Sequence, residues 1–223
     1  MPKPWRIATV VGFFVVAVVV IVVLVIGFTK QPPTVDYSNA QSGQPVDVTL
    51  QTVGAYGSAP HPTWVSYLIK DPSTGQWVHT SYFQVPAHTR VNMTIIQYDS
   101  GSPLRNQQIG MVTGTSGKVA LLNGKPFHVY NSNAGNGVWH TFSIPTLGIN
   151  APLVGNNANA NLCSAAPCTE KSPHNVLKFS FTSPGSGSYP WQCFVPCGLG
   201  FLYGNGGPMQ TNGYMAGFMK VVA

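Results

Sequence analysis

From Ile7 to Thr29 the chain carries no charged residue, and at a rise of 1.5 Å per residue such a run extends about 34 Å as a helix, enough for a hydrocarbon core of about 30 Å. It predicts a transmembrane helix over residues 7–29. A cleaved signal peptide has a shorter apolar region and a small-residue cleavage site, and neither pattern stands here. Lys3 and Arg6 precede the run and only Lys30 follows closely, so the positive-inside rule predicts a cytoplasmic N-terminus of residues 1–6. Everything beyond the helix is then expected outside the cell membrane: a polar, proline-containing spacer over 30–45, and an extracytoplasmic domain over 46–223.

That domain reads as all-β. Residues 46–53 alternate and are rich in β-branched side chains, as are 90–98, and 176–181 places Leu177, Phe179 and Phe181 on one face with Lys178 and Ser180 on the other. Further strands are expected at 64–69, 77–85, 127–130, around His140, entering Cys193, and at 214–222. Turn clusters such as Asp71-Pro-Ser-Thr-Gly75 separate them. Residues 104–125 read as one or two short inserted strands. No stretch after residue 29 keeps an apolar 3.6-residue period, and 24 Gly with 19 Pro punctuate the chain. The expected fold is an antiparallel β-sandwich with Greek-key connections, preceded by one helix.

Charge narrows the partners. Beyond residue 30 there are eight Lys/Arg against five acids, a balance of +3 with no basic cluster, which argues against nucleic acid. Charged residues make up 7% of the chain against about 25% in ordinary domains, which suits an acidic medium or a surface covered by other subunits. The five acids are scattered, which disfavours paired-carboxylate catalysis. No phosphate loop, nucleophile elbow or His-Glu-x-x-His motif is present.

The four cysteines fall in two close pairs. Cys163 and Cys168 bracket Ser-Ala-Ala-Pro with no His or acid between them, and in an oxidising compartment they are expected to form a local, solvent-facing disulfide. Cys193 and Cys197 lie in Tyr189-Pro-Trp-Gln-Cys-Phe-Val-Pro-Cys-Gly, where two sulfurs four residues apart can aim at one point. Soft sulfur ligands select copper, zinc or iron–sulfur centres, and a late Cys loop followed by Met, here Met209, suits copper. His140, on a separate predicted strand, supplies an imidazole. His174 is the weakest candidate, placed near Cys193 if strands 176–181 and 189–193 form a hairpin. His88 and His128 have no such geometric argument, and His61 and His79 read as solvated or satisfied surface residues. Trp139, Tyr189, Trp191 and Phe201 are candidates to shield the site or simply to fill the core. A Cys193–Cys197 disulfide is the metal-free alternative for the same loop.

At His140-Thr-Phe-x-x-Pro-x-Leu-Gly and Tyr189-x-x-Gln-Cys-x-x-x-Cys-Gly, the chain resembles the two signature segments of the extracytoplasmic domain of haem-copper (cytochrome c) oxidase subunit II. The resemblance covers roughly residues 80–223. It implies a cupredoxin-like sandwich, a copper cofactor, and a place in the respiratory chain beside other membrane subunits, with a haem-copper oxidase core among them. The pattern departs at three positions. Phe201 stands where the family has a second His, Gly204 where it has Met, and Val195 where it has a Glu whose backbone carbonyl is a ligand. Three functions therefore stay open: electron transfer by a copper-binding subunit in the bilayer, a metal-free structural subunit, and copper delivery to a neighbour.

Overall fold

The computed structural model describes residues 3–29, 31–39, 43–198 and 206–223. The chain falls into two compact units, Met1–Gln31 and Pro32–Ala223. The first is one helix, α1 (Pro4–Thr29). Proline opens it, where the absent N–H would have had no partner in any case, and apolar side chains from Ile7 to Ile26 stand exposed around it. It is long and apolar enough to cross a membrane, as an anchor or a signal sequence is.

The second unit is a two-sheet sandwich. Its strands are β1 (Thr34–Asp36), β2 (Val46–Val53), β3 (Ser66–Lys70), β4 (Trp77–Val78), β5 (Tyr82–Pro86), β6 (Arg90–Gln97), β7 (Ala120–Leu122), β8 (Lys125–Phe127), β9 (Val138–Ile144), β10 (Ile149–Val154), β11 (Asn175–Thr182), β12 (Gly187–Gln192) and β13 (Ala216–Val222). One sheet has the order β1-β5-β13-β12-β9-β10, the other β4-β3-β2-β6-β11-β7-β8. β6 shows why alternation works here: Val91, Met93 and Ile95 are buried while Asn92, Thr94 and Ile96 are half-exposed. Its period of two turns one face inward along the strand.

Four expectations need correction. The sheets are mixed, because β2–β6, β5–β13 and β1–β5 pair in parallel. The spacer does not reach residue 45. β1 joins β5, and Val35 and Tyr37 are buried, with the Tyr37 hydroxyl donating to the Lys70 carbonyl. Two alternating apolar side chains outweigh the polar average of the segment. The predicted strand 77–85 is broken at His79–Ser81, where Thr80 turns its hydroxyl to the Pro33 carbonyl at 2.5 Å and Ser81 donates to Ala216. Finally, β11 and β12 are not a hairpin: the short link between them crosses from one sheet to the other.

The cores are two. Trp191, Tyr67, Phe83 and Phe142 lead the larger one between the sheets. A smaller one gathers Val53, Leu68, Tyr98 and Cys168. Cys163 and Cys168 form the expected disulfide, with Cα atoms 5.9 Å apart. It is not simply solvent-facing, because Cys168 is buried and its N–H donates to the buried Gln51 side chain at 2.8 Å. The bridge pins the long 155–174 connection onto this second cluster.

Candidate metal centre

β9 carries His140 into the interior, and β12 ends at Gln192, opposite Ser143 of β9. The chain then turns sharply. The Cys193 N–H still reaches the Met215 carbonyl at 3.0 Å, and the Phe194 N–H donates to Thr141 Oγ1 at 2.9 Å. These anchors lay the loop 193–197 against the middle of β9. His140 Nδ1 comes within 3.1 Å of Cys197 Sγ and 3.8 Å of Cys193 Sγ, and the sulfurs are 3.5 Å apart and unbonded. All three ligand atoms lie within 4.8 Å of one another. His140, Cys193 and Cys197 are 1%, 0% and 5% exposed.

Backbone groups complete the surroundings. The Thr141 and Val195 N–H groups point at Cys193 Sγ, at 3.3 and 3.4 Å. The Val195 carbonyl oxygen lies 3.0 Å from Cys197 Sγ and 3.5 Å from Cys193 Sγ. The loop thus sets a main-chain oxygen beside both sulfurs.

Behind the imidazole stands Asp99, a residue that no sequence pattern marks as part of the site. His140 Nε2 is 3.0 Å from Asp99 Oδ2. Burial by itself would lower the His140 pKa, but the hydrogen bond to Asp99 and then the Cys193 sulfur outweigh it and carry the ring up to about 9. Burial likewise works against a Cys193 thiolate, yet the Cys197 and His140 hydrogen bonds bring this thiol well below its ordinary value. Cys197 moves the other way, held up by its hydrogen bond to Cys193 and by burial. The two thiols move in opposite directions because they share one hydrogen bond, and they titrate as a pair. Two soft sulfurs and one imidazole nitrogen, converging in a buried site, fit copper.

Met209 is half-buried against the larger core. Its neighbour Pro208 accepts from the Met215 N–H at 3.0 Å, so the Met209 segment sits one backbone step from Cys193. His174 is not in the cluster: its Nδ1 faces the Ser172 carbonyl at 2.8 Å, its ring lies beside Tyr98, and the hairpin that would have delivered it does not form. His128 bonds the Lys118 carbonyl. Of the aromatic residues, Trp139 donates to Asp99, Tyr189 donates to the Gly185 carbonyl, and Trp191 belongs to the core. Phe201 and Gly204 lie outside the described residues.

His61 and His79 are half-exposed, and His79 is satisfied as expected, its Nε2 lying 2.8 Å from Ser66 Oγ. His61 stacks on Trp64 at 3.6 Å and His79 on Tyr56 at 3.7 Å, and Tyr214 meets all four rings edge-on. Burial pushes the His79 pKa down to about 4, below an unfolded value of about 6.5. The unfolded chain therefore takes up this proton first. The stabilisation is complete above about pH 6.5 and is lost as pH falls through about 4. Allowing for the ring's partial exposure, it amounts to about 1–2 kcal/mol. Urea unfolding on either side of this window should show an acid-induced loss smaller by that amount in His79→Gln. Equal losses in both proteins would contradict the assignment.

No protein-family model and no curated protein matches the chain. Among solved structures it is similar to reduced rusticyanin, with 16% identity, a TM-score of 0.36, and 85% of this chain and 84% of that chain covered. A structure of the copper protein rusticyanin gives 17% identity and a TM-score of 0.35, covering 85% and 82%. Rusticyanin from Thiobacillus ferrooxidans gives the same four values, 17%, 0.35, 85% and 82%.

Proposed function

We propose that this chain is a membrane-anchored copper protein that transfers electrons in or beside a respiratory or other membrane redox complex. The observation that carries the reading is the convergence of His140 Nδ1 with the Cys193 and Cys197 sulfurs, while the other two cysteines are joined to each other. Cys193 and Cys197 would hold the metal through sulfur and His140 through Nδ1, with Met209 as a further soft ligand from the loop that follows. Bound copper supplies a one-electron couple between Cu(I) and Cu(II). The protein's part is to keep its ligands still and dry. β9 and the Met215 backbone fix the loop from two sides, and His140, Cys193 and Cys197 are all buried, which favours electron transfer over bond-making chemistry.

In this reading α1 anchors the chain with its N-terminus in the cytoplasm and the sandwich outside, as the charges flanking the helix favour. The low charge of the domain suits burial against larger membrane subunits, a haem-copper oxidase core being the partner that the signature segments suggest. Purification of the chain with copper supplied, followed by metal analysis and an optical spectrum, tests the central claim. The expected result is stoichiometric copper with a thiolate-to-copper band that bleaches reversibly on reduction. A copper-free chain carrying a Cys193–Cys197 disulfide would put a structural role in its place.

A further inference from the structure

Asp99 follows the end of β6 by two residues, and its two carboxylate oxygens serve three donors. Oδ1 accepts from the Ser100 N–H at 2.8 Å, while Oδ2 accepts from Trp139 Nε1–H at 3.0 Å and faces His140 Nε2 at 3.0 Å. A carboxylate only accepts, so His140 must donate from Nε2. In the neutral ring that places the free lone pair on Nδ1, the atom that looks at both sulfurs. Asp99 is itself held in place. Asn156 donates to its carbonyl from the main chain at 2.9 Å and from the side chain at 3.2 Å, and Gly54 packs so closely that a Cβ there would stand 2.6 Å from Oδ1.

We infer that Asp99 is the positioning residue of the metal centre, fixing the ring plane and the Nε2–H tautomer of His140 so that Nδ1 is the nitrogen presented to the metal. The inference rests on the copper reading for its consequence but not for its geometry. Partners of this kind, behind a ligating imidazole, typically change metal affinity 10- to 100-fold.

Asp99→Asn preserves shape and removes one acceptor. An amide offers a single oxygen, so its NH2 must face either the Ser100 N–H or the two ring donors. In the second orientation it drives His140 to carry its proton on Nδ1. Two readouts on the full chain in detergent separate the consequences. Long-range ¹H–¹⁵N correlations of the His140 ring, recorded without metal at a pH where the ring is neutral, should show Nε2–H in the wild type and a gain of Nδ1–H in Asp99→Asn. A chelator competition should show copper binding weakened by about 10- to 100-fold, with a shifted charge-transfer band. Gly54→Ala, which crowds the carboxylate but leaves its chemistry intact, should move both readouts the same way by less. If the wild type shows the predicted tautomer and the variant loses it but neither binds copper, the positioning role stands and the copper reading falls. An unchanged tautomer in both Asp99→Asn and Asp99→Leu, the second of which offers no acceptor in either orientation, with copper affinity within about twofold of the wild type, overturns the inference.

Discussion

Cys193→Ser is expected to leave a folded chain that binds copper about 100- to 1,000-fold more weakly and loses the Cys193 thiolate-to-copper absorption. Serine is the closest isostere, so the loop keeps its shape: its hydroxyl can still accept from the Thr141 and Val195 N–H groups that now reach Cys193 Sγ. The smaller atom leaves a slight void, and the stability cost should be about 1 kcal/mol. Metal binding is another matter. A hydroxyl remains protonated where this thiol is already poised to ionise, and hard oxygen is a poor partner for Cu(I). Structural zinc sites bind with about 10–16 kcal/mol over four ligands, so losing one anionic sulfur should cost about 3–4 kcal/mol, two to three decades of affinity. His140→Ala should weaken binding without unfolding the domain, since Ser100 and Trp139 still hold Asp99. Copper retained by Cys193→Ser with an unchanged spectrum would place the metal elsewhere.

What the sequence conveyed follows from the range of the interactions involved. β6 and β11, and the first half of β2, were legible because their alternation is a local signal of one buried face. His140, Cys193 and Cys197 were legible because few residue types bind soft metals. β10 was missed, and Pro152 at its centre explains why: proline interrupts a strand pattern, yet β10 is the last strand of its sheet, and an edge tolerates a residue with no N–H to give. Asp99 was missed because its meaning is a contact across 41 positions; locally it is only the polar end of a strand. His174 failed for the same reason in reverse. A short Gly-Ser link reads as a hairpin turn, but whether it folds back or crosses to the opposite sheet depends on which strands pair with β12, and these are β9 and β13.

Trp191→Ala is expected to be the most destabilising single truncation of the core. Trp191 leaves β12 between the sheets and is 1% exposed. Its ring meets Phe142 at 4.7 Å and Phe83 at 6.4 Å from its own sheet, and Tyr67 at 4.9 Å, edge-on, from the other. Truncating such a residue costs about 3–5 kcal/mol in lost burial and cavity. The indole N–H also donates to the Ser81 carbonyl at 2.9 Å, and that oxygen is crowded by β13, since a Cβ built on Gly217 would fall 2.0 Å from it. Leaving it without the indole adds about 1 kcal/mol or more. Against a total stability of about 5–15 kcal/mol, the sum removes much of the margin. Trp191→Phe separates the parts: it keeps most of the ring contacts and loses the N–H and some volume, so it should cost about half as much. Urea unfolding reads this directly, as a midpoint lowered at unchanged slope. Because Cys193 follows Trp191 by two residues, Trp191→Ala should also loosen the ligand loop and weaken copper binding, while Trp191→Phe should leave it close to wild type. A midpoint for Trp191→Ala no lower than for Trp191→Phe would show that the sheets are not joined through this ring.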